Sequence, residues 1–308
     1  MKRIIEPLKY FGALITSKDQ KLPMSFKPSD GMKPIKYHSR IPSAQVKSSL
    51  ILAALYINGE SIISEDVKTR DHTERLLKYM EYPILIDKDT VTLQGCKNIV
   101  AKDIDVPSDI SSAAFFIVAA LIKKGSDITL NNIGVNPLRT GIIDILLKMG
   151  ANIKLTNRRT ICNEPVADIN VKYSQLSPIN ISGDIISRLI DELPILFIAC
   201  ATCKDPSLIE DIHELRYKES DRIEAMENGL KKLGIAIIST ENSIKITGGI
   251  FGGGIVDSYG DHRIAMSFLI AGLVSNKPIT VLNTSNINTS FPNFEDILRN
   301  QKIDIYKI

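Results

Sequence analysis

Five ionisable residues, Arg216, Lys218, Glu219, Asp221 and Arg222, fall within seven positions, and Asp191 stands at the start of the apolar run that precedes them. Lys218 and Arg222 are four apart, so a helix beginning there would put both cations on one face. Two cations beside a carboxylate suit an anionic substrate that undergoes proton transfer. Taken alone, the simpler reading of this segment is a charged helix start laced by i,i+3 and i,i+4 pairs. Asp261-His262-Arg263 opens a second apolar run. Asp is expected there as a cap, whereas the charge of Arg opposes the helix dipole and points to an anion to be held. Upstream, Ser43-Ala44-Gln45-Val46-Lys47-Ser48 precedes a further apolar run. Its hydroxyls, amide and free N–H groups suit either a phosphate cradle or an ordinary serine cap. Arg70 stands before His72-Thr73-Glu74, with Thr69 or Asp71 as the cap of the helix that follows. The glycines at 248, 249 and 252–254 make no Walker A loop, because no Gly-Lys-Ser/Thr follows, and read as turn glycines.

The elements that must carry these residues recur. A polar or hydroxyl-rich lead, a small-residue apolar helix, a β run, a polar segment, a second helix and a strand appear four times, which is the mark of a repeat architecture. The apolar helices are read over residues 50–60, 113–125, 192–202 and 263–273. The polar segments that follow are residues 68–74, 136–141, 213–222 and 285–296. Candidate chemistry thus falls in loops and at helix N-termini, where backbone N–H groups favour anions. Gly150 and Gly234 close two of the second helices just after a lysine, as C-terminal caps do. Residues 3–16 match only the second half of a unit, so residues are expected upstream of Met1.

Composition narrows the function classes. A net charge of +3 spread along 308 residues, with few aromatics and no Trp, provides neither a basic stripe nor a base-stacking platform. Nucleic acid is therefore not the expected partner. The longest apolar runs are about half the length that spans a bilayer, and no apolar h-region follows Lys2-Arg3, so a cytoplasmic enzyme with no membrane association is expected. Cys200 and Cys203 lie in and beside an apolar run and read as buried helical neighbours, without the second pair of ligands that a zinc site needs.

Taken together, SAQVKSS (43–49), TRDHTE (69–74), NPLRTG (136–141), DELPIL (191–196), ELRYKESDR (214–222), GDHRIAMSF (260–268) and TSFPNFEDIL (289–298) resemble EPSP synthase, within the enolpyruvyl transferases. The SAQ and TRDHTE forms look most like the glyphosate-tolerant bacterial class. The resemblance implies an α/β fold of two inverted barrels, each of three βαβαββ units, with about four and a half of the six units present here. Residues 1–107 would be the remaining part of one domain and residues 108–308 most of the other, with the substrates in the cleft between them. The implied reaction moves the enolpyruvyl group of phosphoenolpyruvate to the 5-hydroxyl of shikimate 3-phosphate and releases phosphate. It implies no metal or organic cofactor, and a monomer.

By motif, Asp191 matches the residue that orients and deprotonates the shikimate hydroxyl. Glu219 matches the acid/base at the methylene carbon, and Lys218 matches the lysine that contacts the hydroxyl and assists proton transfer. Arg222 and Arg263 match the two cations on phosphoenolpyruvate. Ser43, Ala44, Gln45 and Arg70 match the site for shikimate 3-phosphate, with Gln45 also near phosphoenolpyruvate. The family's Lys-Ser-x-x-x-x-Arg segment, its Asn-x-Gly-Thr loop and an arginine just before the position of Met1 have no counterpart; in the family those groups hold both phosphates, so little or no activity is expected of this chain alone. The lysine of the last repeat in some members is replaced by the run Asn288-Thr289-Ser290-Phe291. Two competing readings follow: a related transferase acting on UDP-N-acetylglucosamine, and a non-catalytic remnant that does not turn over.

Overall fold

The computed structural model describes residues 1–40 and 42–306. It divides into two compact units. One holds Met1–Val106 with Thr160–Pro165, and the other holds Pro107–Arg159 with Val166–Ile308. No sequence signal marks the return of residues 160–165 to the first unit.

The first unit opens with α1 (Lys2–Tyr10) and an antiparallel pair, β1 (Leu14–Ser17) and β2 (Met24–Lys27). A complete repeat follows: β3 (Lys36–Ser39), α2 (Ala44–Ala54), β4 (Glu60–Glu65), α3 (His72–Tyr79), β5 (Ile84–Asp87) and β6 (Thr90–Gln94). Its sheet runs in the order β3-β4-β6-β5, with β3 and β4 parallel and the other pairs antiparallel. Helix α2 begins several residues before the apolar run from which it is legible. Val46, Leu50, Ile51 and Ala54 recur at helical spacing and are all buried, so the SAQVKSS segment is drawn into the helix. Ser43 is its N-cap, in an extended conformation, and accepts from the Val46 N–H at 3.4 Å. Ala44 and Gln45 therefore lie in the first turn, not in a loop before it.

The second unit repeats the same topology. Its first repeat begins at a single parallel bridge from Ser108 to Ile133, followed by α4 (Ile110–Ile122), β7 (Asp127–Gly134), α5 (Gly141–Lys148), β8 (Asn152–Ile161) and β9 (Glu164–Lys172). The next comprises β10 (Asn180–Ile181), α6 (Leu193–Ala201), β11 (Ser207–Glu210), α7 (Arg222–Lys232), β12 (Ala236–Ser239) and β13 (Ser243–Thr247). Its order β10-β11-β13-β12, with one parallel pair and two antiparallel ones, copies the sheet of the first unit. The last copy runs β14 (Gly254–Asp257), α8 (His262–Ala271), β15 (Ile279–Leu282), α9 (Ile287–Ser290) and α10 (Phe294–Asn300).

The leading helices α4 and α6 are apolar nearly all round and bury almost every residue, and α8 buries all but His262, Arg263 and Leu269; the three pack on one another, while the sheets lie outside them. A helix without a polar stripe is stable only when enclosed, and this helix-inside, sheet-outside order is that of an inverted α/β barrel. Phe291 and Phe294 fasten the C-terminal helices to α4, with ring centroids 5.8 and 5.5 Å from Phe116. Cys200 and Cys203 are buried in this core, where desolvation pushes their thiols up to about 12 and about 11. Gly150 and Gly234 follow α5 and α7 with φ of +90° and +82°, as their cap role requires.

Candidate active site

Helix α8 supplies the anchor of the charged cluster in the second unit. Asp261 is its N-cap and is fully buried, with Oδ1 accepting from the Arg263 N–H at 2.8 Å. Burial raises its pKa, but the hydrogen bond and charge of Arg222, with the Arg263 N–H, outweigh that effect and leave it lowered. Arg222, the first residue of α7, is only 1% exposed and donates from Nε to Asp261 Oδ2 at 2.8 Å. Its Nη2 donates to Glu219 Oε2 at 2.6 Å, leaving that carboxylate half-exposed. Its Nη1 is buried and finds no hydrogen-bond acceptor among the described residues, with Asp191 Oδ1 3.7 Å away. Buried N–H groups are nearly always satisfied, and this one has only the Asp191 carboxylate at ion-pair distance.

Lys218 does not share a helical face with Arg222. A 3-10 turn occupies His213–Tyr217, Lys218 is extended, and α7 starts only at Arg222 under an Asp221 cap. The two cations converge instead through the fold, because Lys218 Nζ lies 3.4 Å from Asp191 Oδ1. Arg216 is spent on structure, bridging Asp221 and the carbonyls of Thr240 and Glu241. Arg263 reaches back from α8 and donates from Nη1 to the Asp191 carbonyl at 3.2 Å. Asp191, Lys218, Glu219, Arg222 and Arg263 are thus brought together in one cluster. A cavity of about 530 Å³ adjoins it, lined by Glu219, Tyr259, Gly260, His262, Asn286, Thr289 and Ser290.

Sequence reasoning missed the polar chain beneath this cluster. Glu192, next to Asp191 and 2% exposed, accepts a short hydrogen bond from Ser111 Oγ and lies 4.0 Å from Arg263 Nη1. Desolvation raises its pKa against the opposing pull of Arg263. Arg139 of the NPLRTG segment donates to Ser111 Oγ at 2.6 Å and to Asp109, the cap of α4, at 2.8 Å. The one available signal was a glutamate directly after Asp191 at the head of a wholly apolar helix.

In the first unit, Ser43, Ala44 and Gln45 form the N-terminus of α2, and Arg70 lies just before α3. Asp71 is the N-cap residue of α3, but its side chain makes no cap bond. Asp71 accepts from Arg75 Nε at 2.8 Å, and the Thr69 hydroxyl donates to Glu65 at 2.6 Å. A larger cavity of about 840 Å³ lies between α1 and β3 and takes Ser43 on its wall, but neither Gln45 nor Arg70 lines it.

The chain is similar to known proteins along nearly its whole length. The family model of EPSP synthase (3-phosphoshikimate 1-carboxyvinyltransferase) matches residues 1–298. A 3-phosphoshikimate 1-carboxyvinyltransferase from Magnetococcus marinus is 48% identical over 303 residues, covering 97% of this chain and 68% of the relative. Another, from Coxiella burnetii, is 46% identical over 297 residues, covering 96% and 68%. An EPSP synthase structure from Acinetobacter baumannii superposes with a TM-score of 0.88 at 43% identity, covering 97% of this chain and 70% of that one. The enolpyruvyl transferase NikO from Streptomyces tendae shares the fold, with a TM-score of 0.79 at 14% identity. With a match that runs through both units and every motif of the charged cluster, the chain belongs to the EPSP synthase family.

Proposed function

We propose that the cluster of the second unit carries the proton transfers of the family's reaction, in which phosphoenolpyruvate and shikimate 3-phosphate give the enolpyruvyl ether and inorganic phosphate. The observation that supports it most is the buried Nη1 of Arg222, which is left without a protein acceptor beside Asp191 and Lys218. Arg222 and Arg263 hold the carboxylate and phosphate of phosphoenolpyruvate, a task suited to planar guanidinium groups. Ser43, Ala44, Gln45 and Arg70 hold shikimate 3-phosphate, supported by a capped helix N-terminus with its free N–H groups.

Asp191 takes the proton of the 5-hydroxyl as its oxygen bonds to C2 of phosphoenolpyruvate. Glu219 delivers a proton to C3, turning the methylene into a methyl and giving a tetrahedral intermediate. In the second step Glu219 recovers a proton from that methyl, the double bond re-forms, and the C2–O bond to phosphate breaks as the departing phosphate oxygen takes up the proton held by Asp191. The ion pair of Lys218 with Asp191 holds the carboxylate towards the hydroxyl and offsets its charge.

Phosphate release with shikimate 3-phosphate as acceptor tests the reading. Glu219→Gln and Asp191→Asn are each expected to lower kcat by about 10²–10⁴-fold, the usual worth of a positioned acid or base. Turnover with UDP-N-acetylglucosamine alone, or a Glu219→Gln variant of unchanged kcat, would overturn it. The SAQ and TRDHTE forms, with Thr289 and Ser290 on the cavity wall beside Glu219, also support placement in the glyphosate-tolerant class. Titration with glyphosate checks that placement, and a sensitive protein would refute it. We take the protein to be a monomer, which sedimentation checks, and cytoplasmic, which cell fractionation checks. Among the described residues no helix is long and apolar enough to cross a membrane.

A further inference from the structure

The first unit contains a buried charge cluster that the proposed chemistry does not use. Lys47, in the first turn of α2, is 5% exposed, and Nζ donates to Glu65 Oε1 at 2.7 Å and to the Thr69 carbonyl at 3.2 Å. The same ammonium lies 2.9 Å from Glu74 Oε1, in the first turn of α3. Glu65, the last residue of β4, also accepts from the Thr69 N–H at 3.0 Å and from the Thr69 hydroxyl. Beside Lys47 and Glu74 in their helices, Ser48 and Thr73 share a hydrogen bond of 2.7 Å.

This arrangement is costly as stability alone. A lysine at a helix N-terminus opposes the dipole, and its burial with two carboxylates carries a desolvation penalty that an apolar trio of similar size would avoid. What the cluster does uniquely is fix three segments in register. The Lys47 N–H donates to the Ser43 carbonyl at 3.0 Å, which ties the ammonium to the α2 cap. Its other bonds hold Thr69, and with it the backbone that leads into Arg70.

We infer that Lys47 is a positioning residue for shikimate 3-phosphate: clamped by Glu65 and Glu74, it sets the N-terminus of α2 against the Thr69-Arg70 segment so that both meet one anion. This rests on the assignment of Ser43, Gln45 and Arg70 to that substrate. The chemistry recognised is a phosphate ester, bound by N–H groups and a guanidinium whose spacing the clamp determines. Lys47 itself is sealed under the two carboxylates and touches no ligand.

The test uses the full chain and three variants: Arg70→Ala, Lys47→Met, and the charge-free triple Lys47→Met/Glu65→Gln/Glu74→Met. Shikimate 3-phosphate binding is read by calorimetry, the KM for phosphoenolpyruvate at saturating shikimate 3-phosphate, and the melting midpoint by circular dichroism. Lys47→Met is expected to melt early, because it strands two buried carboxylates. The triple variant is expected to melt near the wild type yet bind shikimate 3-phosphate about tenfold to a hundredfold more weakly, as for a misplaced binding group. Its KM for phosphoenolpyruvate should change by far less.

A triple variant that binds shikimate 3-phosphate like the wild type would overturn the inference, while weakened binding by Arg70→Ala would leave the substrate assignment standing. A triple variant that does not fold would also overturn it, since the cluster would then hold the fold and not the site. Unchanged binding by Arg70→Ala, or no binding by the wild type, would remove the assignment and the inference with it.

Discussion

Replacing Arg222 by methionine removes the countercharge from Asp261 while preserving most of the buried volume. Asp261 is fully buried and loses the donor at 2.8 Å. It keeps the Arg263 and Ile264 N–H groups and the Ser220 hydroxyl. Breaking a buried pair costs about 3–5 kcal/mol, and the three remaining donors place this case near the lower end, about 3 kcal/mol. For a unit of this size that corresponds to a fall in melting midpoint of about 6–12 °C. The assay is thermal unfolding by circular dichroism without substrate. The double variant Arg222→Met/Asp261→Asn should recover at least half of the loss, because Asn still caps α8 through its carbonyl oxygen.

The pH dependence gives the sign an independent check. The folded-state pKa of Asp261 is lowered from 3.8, so its contribution is present above that value and lost as pH falls through the folded pKa. Wild type and Arg222→Met should therefore converge in stability as the pH drops below about 4. An unchanged midpoint for the single variant would refute the reasoning. So would a double variant less stable than the single one.

Three further outcomes follow from the same packing. A Cβ at Gly229 of α7 would stand 2.1 Å from the ring of Phe268 on α8, so Gly229→Ala should destabilise by about 1–3 kcal/mol despite better helix propensity. Gly229→Ala/Phe268→Leu should restore much of that loss in the same melt. Burial and then the charge of Arg263 lower the pKa of His262, so stability should decline as pH falls below about 6.5, and His262→Asn should flatten that limb of a pH series of melts. With thiols at about 12 and about 11, Cys200 and Cys203 should resist a thiol reagent at pH 8 until the protein unfolds, while exposed Cys96 reacts at once.

The repeat was legible in the sequence because each unit marks its ends chemically. Gly150 and Gly234 terminate second helices, and α6, with α4 beyond its two serines, is apolar enough to stand out from any amphipathic pattern. Helix starts were not legible to the same degree. Hydrophobicity locates α2 and α4 only from Leu50 and Ala113, whereas caps at Ser43 and Asp109 start them several residues earlier. Serines inside a first turn look like loop until the cap that makes them helical is identified.

The site shows where such reading must fail. Asp191, Lys218 and Glu219 could be found by motif, yet helical spacing paired Lys218 with Arg222 on a face that does not exist. What joins them is Asp261, some forty residues on, whose buried carboxylate is both the cap of α8 and the acceptor for Arg222. The same economy recurs in the first unit, where Glu65 ends a strand, anchors Lys47 and holds Thr69. In each unit a buried carboxylate and a buried cation tie a helix N-terminus to another segment. A position that carries charge at the start of an apolar helix is then informative only with its distant partner, and that partner is a property of the repeat's packing and not of any local run of residues.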